Sequence, residues 1–332
     1  MMKLLPHLLL PLLLAHAGLV LAAQVDTPDP AEPAAQQERQ RQLLQQRTLL
    51  EARIDTLLQQ DDPYTGELQE SWFELGTTLQ ALDAHEDAAK AYAAAWQAAR
   101  ISGGLEDPQQ LPVLRRLAAS HRAAQQWEDA DTMAHLIHHI SSRAHAPGTA
   151  ERFEGVLQLG RWKLLAARDA LLPDTFSSAW NAAEIYASEI ATLEAVDAYP
   201  ERRIQLATLQ LERASAEFLL ASEIREQPLQ EYFVSGQRST TMLQCTVTRL
   251  PDGRAQQICV PVEVPNVDFY VDPSNRKNQE MWRHLDAMRD GVEASYRYLQ
   301  DEKILVEQRD ALLADMQALT ETYNRFVTER GQ

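Results

Sequence analysis

The chain has 332 residues, 45% of them hydrophobic, and a formal net charge of −17 at pH 7. That length fits one large domain or two small ones. A surface this acidic repels phosphate backbones and anionic lipid headgroups, so nucleic acid is excluded as an expected partner.

The first residues read as a secretory signal. Lys3 precedes an apolar run from Leu4 to Ala15, and Val20-Leu21-Ala22 supplies small side chains where a signal peptidase cuts. Pro6, His7, Pro11 and His16 interrupt the run, which is too short to span a bilayer comfortably. Cleavage after Ala22 is expected, leaving a soluble chain with no stable membrane anchor. Only 5 of the 31 basic residues are Lys, and no Asn-x-Ser/Thr sequon occurs. This suits a bacterial source, and export would then mean the periplasm. Residues 23–37 are polar and Pro-rich, the composition of a disordered leader.

From residue 38 the pattern turns helical. Leu43, Leu50 and Leu57 recur every seven residues, with Ile54 between the last two. Then Trp72-x-x-Leu75-Gly76-x-x-Leu79 is followed by Ala88-x-x-x-Tyr92-x-x-Ala95. The first set shares one helix face. Gly76 allows a second helix close, and Tyr92 fills the groove between them. A shift of 42 residues maps Leu75-Gly76 onto Leu117-Ala118 and Glu86-Asp87-Ala88 onto Glu128-Asp129-Ala130. A second shift lands on Leu159-Gly160, after which the register slips by ten before Ala182-x-x-x-Tyr186. The slip is expected near Leu171-Leu172-Pro173-Asp174. Residues 201–224 read as another amphipathic helix.

This pattern resembles the tetratricopeptide repeat (TPR) family, in the 42-residue variety of kinesin light chains, over residues 65–200. The resemblance departs at the ten-residue slip, and at Arg100, where the family carries proline. It implies a mainly α, TPR-like α-solenoid of helical hairpins over 38–225 that works as a non-catalytic scaffold, holding a protein or peptide in a groove of first helices. The residues expected to face that groove are Thr77, Thr78, Gln80, Ser120, Arg122 and Arg161. Arg115, Arg116 and Arg122 form a local basic patch suited to a carboxylate.

Helical character breaks after Gln227-Pro228, opening a segment 226–274. Alternation at Leu243, Cys245 and Val247, the turn Pro251-Asp252-Gly253, and Ile258 to Val264 predict a β-hairpin. Centring it on Asp252 places Cys245 opposite Cys259, so an oxidising compartment predicts a disulfide. Residues 275–330 then carry a long helical pattern. Met281, Leu285, Met288 and Val292 form one stripe, and Leu305, Leu312, Leu319 and Phe326 another. One helix of about 75 Å or a hairpin both fit. Its stripe needs cover, from the 38–60 helix or from a second chain as a coiled-coil homodimer.

Catalytic and nucleotide-binding signatures do not occur, so neither an enzyme nor a cofactor is expected. His135, His138 and His139 share a helix face at spacings that suit a metal. A polar face that happens to use histidine explains them more simply, so no metal site is expected.

Overall fold

The computed structural model describes residues 31–60, 65–196, 200–233, 239–249, 255–265, 272–300 and 306–329. The signal segment and the hairpin turn at 250–254 lie outside these residues. Among the described residues, ten α-helices and one two-stranded ribbon follow in chain order: α1 (Ala31–Leu58), α2 (Gly66–Ala81), α3 (His85–Gly103), α4 (Leu111–Ala123), α5 (Trp127–Ala144), α6 (Ala150–Arg168), α7 (Thr175–Glu194), α8 (Pro200–Glu226), β1 (Ser239–Arg249), β2 (Ala255–Pro265), α9 (Pro273–Leu299) and α10 (Val306–Thr328). None of the described helices is long and apolar enough to cross a membrane. The leader expected over 23–37 is helical from Ala31. Pro33 falls in the first turn, where its missing N–H costs no hydrogen bond, and alanines follow.

The helices α2/α3, α4/α5 and α6/α7 form three successive antiparallel hairpins, each packed on the next, in a TPR-like stack. All three turn the same way. Two residues past the end of each first helix φ is positive: Asp83 at 58°, Gln125 at 58° and Ala170 at 50°. In each turn the next N–H reaches back five residues to a helix carbonyl: Ala84 to Leu79 at 3.0 Å, Gln126 to His121 at 2.9 Å, Leu171 to Ala166 at 2.9 Å. These are Schellman caps built without glycine. They satisfy carbonyls that a helix end otherwise leaves open.

Glycine is used instead where helices touch. A Cβ on Gly76 would lie 2.8 Å from the Tyr92 ring, and one on Gly160 would lie closer still to Tyr186. Both tyrosines are fully buried. The equivalent positions of the middle hairpin are Ala118 and Ala134, so there a small residue faces a small one. The ten-residue slip before Tyr186 is spread out rather than inserted at one point. Relative to the first hairpin, α6 runs three residues further past its glycine, the connection is three longer, and α7 begins four residues earlier before its tyrosine.

α1 covers the open side of the first hairpin, with Leu50, Ile54 and Leu57 in one core with Leu68, Leu75 and Leu114. Gln110, fully buried, ties down the long α3–α4 connection: it accepts from Trp96 Nε1 at 2.7 Å and donates to Gly104 O at 2.6 Å.

The C-terminal part differs from the expected long helix. α9 and α10 are separate, and α9 packs along α8 as a fourth hairpin. Gly291 permits this, since its Cβ position lies 3.1 Å from Ala214 Cβ and 3.1 Å from Gln210 O. The stripe on α9 is therefore covered by α8, not by α1. The boundary drawn at residue 275 does not separate α9 from the repeats. Lys277 Nζ caps α8 by donating to Arg225 O at 2.7 Å, and Asp272 caps α9 by accepting from Ser274 N at 2.7 Å. α10 joins the same end: Met316 meets Ala207, Leu211 and Leu299 in one cluster, while Phe326 meets Ile224 and Met281 in another.

Between α8 and α9 the chain makes the ribbon. β1 and β2 pair antiparallel with Cys245 opposite Cys259, and the two form a disulfide.

Candidate partner-binding groove

Repeat phase decides which of the expected groove residues face outward. Thr78, Ser120 and Trp162 occupy one repeat position, 42 residues apart, and all three are buried. Each follows a core leucine (Leu75, Leu117, Leu159) by three residues, which puts it on the same helix face. Thr78 Oγ1 donates to Glu74 O at 2.9 Å within its own helix. Thr78 and Ser120 therefore belong to the core, against expectation.

The preceding position is different. Thr77 and Arg161 are exposed, while Gln80 and Arg122 are half-buried. The hydroxyl of Tyr92 donates to Gln80 Oε1 at 3.2 Å and lies 3.1 Å from Thr77 Oγ1. So the tyrosine that wedges the first hairpin also fixes the side chains of Thr77 and Gln80. Arg161 Nε sits 2.6 Å from Glu212 Oε1 of α8. Partial burial opposes the Arg161 charge. Glu212 outweighs it and holds the guanidinium above its ordinary range.

Among the described residues, Arg161 is an expected groove residue that lines a cavity. Two adjoining hollows lie between α6, α8 and α10. One, of about 510 Å³, is walled by Leu164, Leu165, Phe218, Leu219 and Leu319, with Arg161 and Arg168 at its rim. The other, of about 390 Å³, continues past Thr208, Glu212, Asp315 and Thr322. Arg161, Ser215 and Leu319 border both. The site is apolar at its floor and basic at one edge. Sequence reasoning placed Phe218 and Leu219 on an amphipathic helix but not in a site. The signal was present: two adjacent large apolar residues widen the α8 stripe beyond what one neighbouring helix covers.

A larger cleft, about 630 Å³, opens between α7, α8 and α9. At its floor buried His284 Nδ1 lies 2.6 Å from Glu217 Oε2. Trp180, 46% exposed, sets its ring edge to face against His284 at 6.3 Å. Trp180 is thus an accessible aromatic at a cleft rather than a core residue, whereas Trp162 is buried and donates Nε1 to Asp131 at 2.8 Å.

The three histidines of α5 do not converge. His135 lies 3.7 Å from Asp131, and His139 lies 3.6 Å from Glu106. His138 is the more buried. Burial lowers its pKa, partly countered by Glu189. Among the described residues no group of three His, Cys, Asp or Glu is arranged to hold a metal ion.

No family model matches the chain, and no curated protein matches it. Among solved structures it is similar to a putative kinesin light chain of Podosopora anserina with nearly identical TPR-like repeats. Identity is 17%, the match covers 60% of this chain and 92% of the other, and the TM-score is 0.42. It is similar also to a form of that protein carrying a single substitution, at 16% identity over 58% of this chain and 86% of the other, with a TM-score of 0.41.

Proposed function

We propose that this chain is an exported, non-catalytic interaction module that holds a peptide or protein segment in the groove between α6, α8 and α10. The observation that carries the reading is the groove itself, with an apolar floor of Leu164, Leu165, Phe218, Leu219 and Leu319 and a basic rim of Arg161 and Arg168. Apolar walls supply affinity by excluding water, and a few polar groups fix orientation. The arginines are held by Glu212 and Asp169 in the free chain. An acidic group on the partner competes for the same guanidinium donors. The expected ligand is therefore an apolar segment with a carboxylate beside it. Export rests on the Lys3 to Ala22 pattern and suits the disulfide.

The test uses fluorescent peptides that share one apolar core and carry acidic, neutral or basic flanks, titrated against the purified chain. Acidic flanks should bind tightest, Arg161→Glu should reverse the order, and Leu165→Asp should abolish binding with the helical CD unchanged. Equal binding by wild type and Leu165→Asp rules the groove out. Export is checked by N-terminal sequencing of the protein from the envelope of a bacterial host, where the chain should begin at Ala23.

A further inference from the structure

The ribbon is the least covered part of the described structure. Each strand packs extensively only on the other. Leu243 and Val247 are each 69% exposed. A two-stranded ribbon is marginal in water, and a disulfide staples it without covering its side chains.

Its two edges differ. The Cα atoms of Cys245 and Cys259 are 3.9 Å apart, the close spacing of a non-hydrogen-bonded pair. Pair types alternate along an antiparallel ladder. The pairs Thr241↔Glu263, Leu243↔Pro261 and Val247↔Gln257 therefore share this phase. The N–H and C=O groups of such residues point away from the partner strand, toward the outer edge. On β2 that outward row contains Pro261, which has no N–H to offer, so the edge is blunted against strand addition. On β1 the outward row is Thr241, Leu243, Cys245, Val247 and Arg249, and every member can both donate and accept.

From this we infer that β1 is a homodimerisation edge: two copies of the chain pair β1 to β1, antiparallel, about a twofold axis at Cys245. The product is a four-stranded sheet in the order β2–β1–β1–β2. Outward residues must meet outward residues, and centring on Cys245 sets Leu243 opposite the second copy's Val247, twice. The two most exposed apolar side chains of the disulfide face thereby cover each other.

Charge points to a second copy rather than another protein. The ladder holds two charged residues, Arg249 and Glu263, on the same face at opposite ends. Within one chain Arg249 faces Ala255, and Glu263 faces Thr241. In the four-stranded sheet each Arg249 shares a row with the second copy's Glu263, across Thr241. Strands about 4.8 Å apart put these backbones about 10 Å from each other, a gap the two side chains close between them. The ladder is neutral in a chain of net charge −17, so it is where two like-charged copies can approach.

Sedimentation velocity on the oxidised full chain, up to about 100 µM, tests this against a binding constant in the micromolar range. The wild type should form a concentration-dependent dimer. Val247→Pro removes an outward N–H from β1 as Pro261 does on β2, so it should leave the β1–β2 ladder and the disulfide intact and give a monomer. Arg249→Glu should weaken dimerisation at least about tenfold, and the double exchange Arg249→Glu/Glu263→Arg should restore it. CD and thiol titration establish that each variant is folded and oxidised. If Val247→Pro loses the disulfide, the charge exchange decides alone. A wild type that stays monomeric, as it would if β1 takes a strand from another protein, overturns the inference. So does a dimer indifferent to the charge exchange.

Discussion

Gly76 and Tyr92 give the sharpest quantitative test of the repeat packing. A Cβ on Gly76 would sit 2.8, 2.8 and 2.9 Å from three atoms of the Tyr92 ring. The ring cannot swing aside. It is fully buried, lies edge to face with Phe73 at 5.5 Å, and its hydroxyl is held by Gln80 and Thr77. Overpacking of this kind costs about 1–3 kcal/mol. Replacing a mid-helix glycine with alanine returns about 1 kcal/mol of backbone propensity. The net expectation for Gly76→Ala is a loss of up to about 2 kcal/mol. Tyr92→Ala alone should cost about 3–5 kcal/mol by opening a cavity. In that background the clash is gone and only the propensity gain survives, so Gly76→Ala should become stabilising by up to about 1 kcal/mol. The pair would then copy Ala118 and Ala134 of the next hairpin. Urea denaturation followed by far-UV CD measures all four corners of the cycle. If Gly76→Ala has the same sign in both backgrounds, the wedge account of this repeat is wrong.

Other outcomes follow from single features. Ala170 has φ of 50°, so Ala170→Gly should raise stability by about 0.5–1 kcal/mol in the same urea assay, through relief of left-handed strain. Cys245→Ser/Cys259→Ser releases a loop whose closure is worth on the order of 3 kcal/mol. Hydrogen exchange should then accelerate across β1 and β2 while α2 to α7 keep their protection. Burial lowers the pKa of His138 in the folded state, so the unfolded chain binds the proton more readily. Stability should fall as pH drops through about 6.5, the ordinary histidine value, and His138→Gln should flatten that slope in thermal melts at pH 7.5 and 5.5.

The first hairpin was legible because its contacts are local. Trp72, Leu75 and Leu79 report one helix face, and Ala88, Tyr92 and Ala95 report the face that meets it. The cysteine pairing was legible for the same reason, since turn chemistry sets register within a few residues. The fourth hairpin was not. α8 and α9 meet across a 46-residue interval, 227–272, and no short-range spacing encodes such a contact. Thr78 and Ser120 were expected at the groove, but their phase buries them. Both sit three residues after a core leucine, where even a hydroxyl is carried inside. The non-glycine turns hid themselves too, because Asp83, Gln125 and Ala170 give no left-handed signal in sequence.

The interruption between α8 and α9 also bears on the order of assembly. The other hairpins close over connections of three to six residues, so their contact order is low and they can form soon after their helices do. Closing α8 on α9 across 46 residues rather than three costs about 2 kcal/mol more in chain entropy. The stack should therefore zip from its N-terminal end and receive α9 last. Until then the α8 face that α9 covers stays open to solvent, which makes the moment before α9 docks the chain's point of greatest exposure to proteases and to misassembly.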